Sequence, residues 1–113
     1  MTKITIKKQG DFIYRMELDG HTGYGVDGED VVCAGISCIA QTAVLGVFSV
    51  AKVNAEFERD EERGFLKLVI PFDISEKQKE RASVILQTAL LGFADMVEGF
   101  SDFIEMEVID DVY

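Results

Sequence analysis

Apolar and polar residues alternate twice near the start of the chain, in two short runs. Residues 3–8 place Ile4 and Ile6 on one side of an extended segment. After Gln9-Gly10-Asp11, a turn signal, residues 12–18 alternate again, with Phe12, Tyr14, Met16 and Leu18 on one face and Arg15 and Glu17 opposite. Two alternating runs about a tight turn predict a β-hairpin. The period then changes. Across 29–48, Val32, Ile36, Ile39, Ala40, Ala43 and Val47 recur at spacings of three and four, which predicts a helix. Ala34, Gly35, Ser37 and Cys38 keep that helix thin enough to lie close to a sheet.

A second hairpin is expected from 53–58 and 65–72, joined by the charged turn 59–64. Leu66, Leu68, Ile70 and Phe72 give its second strand an apolar face. Ser75 with Gln78 three residues on has the form of a capping box and opens a second helix. The buried stripe of that helix is Ala82, Ile85, Ala89, Phe93 and Met96, and Gly99 stands where a C-cap glycine belongs. Residues 102–110 read as a last strand, with Ile104, Met106 and Val108 inward and Glu105 and Glu107 outward. The order is ββαββαβ. Strands with one apolar face and two striped helices make an α+β two-layer sandwich, a mainly antiparallel sheet with both helices on one face. Ile13 and Phe103 fall on the other sheet face, as ordinary surface residues or as a dimer contact.

Composition narrows the setting. With 113 residues, 48% of them hydrophobic, residues 1–113 have room for one domain around one core. The first ten residues lack the apolar centre of a signal peptide, and no uninterrupted apolar run approaches the ~20 residues of a membrane span. A cytoplasmic protein without membrane contact is expected, its two cysteines reduced. A net charge of −10 disfavours direct nucleic-acid binding; it serves solubility alone or attracts basic protein or peptide partners.

The chemistry concentrates in residues 20–37, GHTGYGVDGEDVVCAGIS. His21 is the chain's one histidine and Cys33 one of two cysteines. Glycines 20, 23, 25 and 28 make the stretch between them a loop, and Cys33 falls where the loop becomes helix. A histidine can take a thiol proton, and a helix N-terminus favours a thiolate. Asp30, Cys33 and Ser37, at i−3, i and i+4, share one helix face. Asp30 either orients His21 by accepting a hydrogen bond or caps the helix. Ser37 is a site hydroxyl or a small packing residue, and Tyr24 a substrate contact or a loop anchor. Backbone N–H groups around Cys33 and Ala34 are candidates for an oxyanion hole. Cys38 reads as a small core residue, and its spacing from Cys33 opposes a disulfide or a redox pair. One histidine and two cysteines on diverging faces do not make a zinc site, and no cofactor is called for.

The run Gly20-His21-Thr22-Gly23-Tyr24, followed by Gly28-Glu29-Asp30-Val31-Val32-Cys33-Ala34-Gly35-Ile36-Ser37, closely resembles the ribosomal-processing cysteine protease family Prp. Thr22 and Gly35 stand where alanine is common. The resemblance implies an α+β homodimer that removes the N-terminal extension of bacterial large-subunit ribosomal protein number twenty-seven, cutting after a short apolar stretch that ends in paired phenylalanines. It implies His21 and Cys33 as catalytic dyad, with Gly20, Asp30 and Ser37 as further motif positions. The loop is then expected to be the moving part that carries His21 to the thiol. A second reading stays open, a non-catalytic ribosome-assembly or peptide-binding module whose acidic surface holds a basic ribosomal protein.

Overall fold

The computed structural model describes residues 1–21 and 30–111. Its elements are β1 (Thr2–Gln9), β2 (Phe12–Asp19), α1 (Val31–Ser49), β3 (Glu56–Asp60), β4 (Phe65–Val69), α2 (Glu76–Gly99) and β5 (Ile104–Asp110). The strands form one sheet in the order β3-β4-β2-β1-β5. Three neighbouring pairs are antiparallel, and β5 runs parallel to β1. The ββαββαβ order and the α+β sandwich therefore hold, with the sheet mixed at one edge.

Ile4, Ile6, Met16, Leu18, Leu66 and Leu68 are all buried from the strands. They meet Val32, Ile36, Ala40 and Val47 of α1 and Ala82, Leu86 and Phe93 of α2 in one core. The two helices approach closely through glycines. A Cβ at Gly46 would lie 3.1 Å from Ile85, and one at Gly92 would lie 3.3 Å from Ile39. Each isoleucine thus fills a slot that the facing helix leaves empty. Ser75 and Gln78 form the expected capping box, each side chain bonded to the other's backbone N–H.

Several expectations change. Lys7 pairs with Arg15 but Lys8 pairs with Ile13, so Tyr14 is an extra residue in β2, a bulge. The shift moves Ile13 off the solvent face and into the core, where it is 1% exposed. Tyr14 packs beside Phe72 instead, and its hydroxyl bonds the Asp111 carboxylate. Phe103 lies in the turn before β5, half-buried against the core rather than on a strand face. Val108 is exposed, on an edge strand that among the described residues pairs with β1 alone. Phe72 falls beyond β4 and stacks edge-on against Phe12 at 5.4 Å rather than filling the core. Gly99 remains inside α2; Phe100 is the cap residue, with a φ of −136° that needs no glycine.

Both helices are long and apolar enough to cross a membrane by length and composition alone. Ser37, Gln41 and Thr42 interrupt the apolar run of α1, as the sequence shows, yet the mean hydropathy of the helix stays high. In the fold the apolar stripe of α1 packs into the core, while Leu45 and Val50 remain exposed.

Candidate active site

The site is built where the end of β2 meets the start of α1. Gly20 follows β2 with φ +94°, and a Cβ there would lie 2.7 Å from the Met1 carbonyl oxygen. Only glycine fits this position. The buried Thr2 hydroxyl donates to the Gly20 carbonyl at 2.8 Å, and the Gly20 N–H donates to the Gly64 carbonyl at 3.0 Å. This clamp fixes the backbone from which His21 projects. The exposed imidazole has its Nε2 2.9 Å from the Glu62 carbonyl oxygen. His21 is thus tethered to the sheet end in this structure, while the loop expected to move it lies beyond the described residues.

Cys33 sits half-buried in the first turn of α1. Asp30 is the N-cap, and its Oδ1 accepts the Cys33 N–H at 2.9 Å. The Asp30 carbonyl accepts the Ala34 N–H at 3.0 Å. Capping is thus the role that the geometry gives Asp30. The Cys33 and Ala34 N–H groups, near the expected oxyanion hole, are thus both engaged by Asp30 in this structure. Ser37, one turn on, is half-buried.

Gly20, His21, Cys33 and Ser37 line one open pocket of about 200 Å3. Ala34 is exposed and is not among the residues lining it. Cys38 is also exposed, correcting its reading as core; it lies two residues from both Ile36 and Ala40 and so faces away from them. Tyr24 and the 22–29 loop lie outside the described residues.

The opposite wall comes from the β3–β4 hairpin, through Arg59, Asp60, Glu61 and Phe65. The charges at 61 and 62 read in the sequence as a solvated face. Both side chains are exposed, yet the Glu62 main chain meets the imidazole. Arg63 pins the turn by pairing with Asp19 at 3.1 Å and stacking 4.4 Å above the Phe65 ring. A backbone contact made across 41 residues leaves no residue-type signal; the turn glycine Gly64 was the only local hint.

A histidine and a half-buried helix-start cysteine in one pocket suit thiol chemistry, and comparison with known proteins decides the family. The model of the family "cysteine protease Prp" matches residues 1–105. The chain belongs to that cysteine protease family. It is 22% identical over 103 residues to the ribosomal processing cysteine protease Prp of Bacillus subtilis, covering 90% of this chain and 92% of that one. The Prp of Staphylococcus aureus strain Mu50 is 24% identical over 103 residues, covering 91% and 92%. The fold agrees with that of a Streptococcus mutans crystal structure, with a TM-score of 0.84 at 25% identity over 98% of this chain and 96% of that one. Staphylococcus aureus Prp, crystallised with a covalently linked product peptide, gives a TM-score of 0.84 at 22% identity, covering 96% of this chain and 99% of that one. This Prp family member thus keeps the family's fold over nearly its whole length.

Proposed function

We propose that this chain is an endopeptidase that trims the N-terminal extension from large-subunit ribosomal protein number twenty-seven, with His21 and Cys33 as its dyad. The observation that carries the reading is the pocket shared by the two residues. His21 takes the thiol proton as Sγ bonds the scissile carbonyl carbon. Collapse of the tetrahedral adduct breaks the C–N bond, and the imidazolium returns the proton to the leaving amine. Water then adds to the thioester, with His21 again as base, and releases the extension with a free Cys33 thiol.

The imidazole bonds the Glu62 carbonyl through Nε2, and a hydrogen bond from Cys33 to the other ring nitrogen need tighten only when substrate binds. The net charge of −10 suits a basic ribosomal protein, although on the pocket wall Arg59 pairs with Glu61 at 2.8 Å. The protein is read as acting in the cytoplasm as a homodimer, without direct nucleic-acid contact. The competing reading, a non-catalytic holder of a basic ribosomal protein, needs no activated thiol.

Timed alkylation with peptide mapping separates the two. Cys38 is exposed and Cys33 only half-buried, so exposure alone labels Cys38 first. Faster labelling of Cys33 supports the protease; Cys38 first, with Cys33 inert, supports the binder.

A further inference from the structure

We infer that the β3–β4 turn is a positioning element for the catalytic histidine, and that the Glu62 carbonyl selects the Nε2–H tautomer so that Nδ1 is the base facing Cys33 chemistry. The inference rests on the dyad reading above and deepens it. A carbonyl oxygen only accepts, so at 2.9 Å the ring nitrogen facing it carries the proton. A neutral imidazole has one N–H, and fixing it on Nε2 leaves the lone pair on Nδ1. When Nδ1 takes the thiol proton, Nε2–H keeps its bond to Glu62, and the same carbonyl stabilises the imidazolium until the proton moves to the leaving amine.

The turn is held firmly enough to do this. Gly64 donates to the Glu61 carbonyl and accepts from the Gly20 N–H, and Arg63 is anchored by Asp19 and Phe65. Gly64 itself is pressed against the site. Its φ is +69°, and a Cβ there would lie 3.0 Å from the Gly20 carbonyl carbon and 3.2 Å from Cε1 of the His21 ring. Any larger residue at 64 must push the turn, the imidazole or both. Gly10, in the β1–β2 turn, supplies a matched control. Its φ is +60°, but nothing lies within 4 Å of the site of a Cβ. Alanine at either position imposes similar backbone strain, while only alanine at 64 disturbs His21.

The chain's single histidine makes the tautomer directly readable by 15N-imidazole NMR. In alkaline solution the neutral imidazole of the Cys33→Ala protein should be protonated on Nε2 and bare on Nδ1. Gly64→Ala in that background should give a mixture of tautomers, and Gly10→Ala should leave the spectrum unchanged. With Cys33 present, Gly64→Ala should lower kcat at least tenfold on a peptide ending its apolar stretch in paired phenylalanines, with KM within twofold. Gly10→Ala should keep both within twofold. A dominant Nδ1–H form, or a Gly64→Ala enzyme with normal kcat, overturns the turn's role. Persistent cleavage by His21→Ala overturns the dyad reading itself, so the two failures are told apart.

Discussion

The Asp30 carboxylate accepts the backbone N–H of Cys33 at 2.9 Å, so one side chain both starts α1 and fixes the first-turn residue that carries the thiol. Removing the acceptor removes the cap. Asp30→Ala should cost about 1 kcal/mol, a fall in Tm of roughly 4 °C for a domain of this size. Asp30→Asn keeps an oxygen acceptor and should recover most of that loss. Thermal unfolding of the two variants checks the assignment; equal losses would show that charge, rather than capping, is what position 30 supplies.

Gly20 tests how rigidly the histidine is held. Alanine there combines φ +94° with a Cβ 2.7 Å from the Met1 carbonyl oxygen, a backbone atom with no side-chain freedom to yield. Gly20→Ala should destabilise by about 2 kcal/mol or more. It should also cut kcat/KM at least tenfold at a temperature where circular dichroism shows it folded.

Gly35 points the other way. Its nearest obstacle is the terminal methyl of Met96, 3.0 Å from a built Cβ, and that flexible end can swing aside. Gly35→Ala should therefore keep most of alanine's helix advantage and raise stability by about 0.5 kcal/mol, measurable by urea unfolding. Gly46→Ala, whose Cβ would meet branched Ile85 at 3.1 Å, should lower it.

Lys67 on β4 lies between Glu58 at 3.3 Å and Glu56 at 3.4 Å on β3. Its pKa is raised above 10.5, first by the hydrogen bond to Glu58 and then by Glu56. Folding then favours the protonated form. The stabilisation is fully present below the unfolded value of 10.5 and is lost as pH rises through the higher folded value. Unfolding midpoints taken at rising alkaline pH should fall more steeply for the wild type than for Lys67→Met; parallel curves would remove the pair from the account of β3 docking.

The elements and their order were legible in the sequence because period two and period three-to-four stripes are local. The face of Ile13 was not. It turns on Tyr14 being an extra residue against β1, and alternation read from one strand cannot register its partner. The cysteine and histidine were legible as residue types at a helix start and a strand end. The β3–β4 turn was legible as a turn, but its place at the site was hidden because it acts through main-chain atoms, the Glu62 and Gly64 carbonyls, which every residue type possesses. Asp30 could be placed at the helix start but not assigned, since a cap and a histidine partner require the same carboxylate.

In the proposed mechanism Cys33, activated by His21, cuts a peptide bond. Intact-mass spectrometry of the extended ribosomal protein number twenty-seven from the same organism, incubated with wild type, Cys33→Ala and His21→Ala, tests it most directly. The account predicts loss of one N-terminal segment by the wild type, with the cut after the apolar stretch, and at least a thousandfold slower cleavage by either folded variant. An uncut substrate with wild type, or equal cleavage by Cys33→Ala, would contradict it.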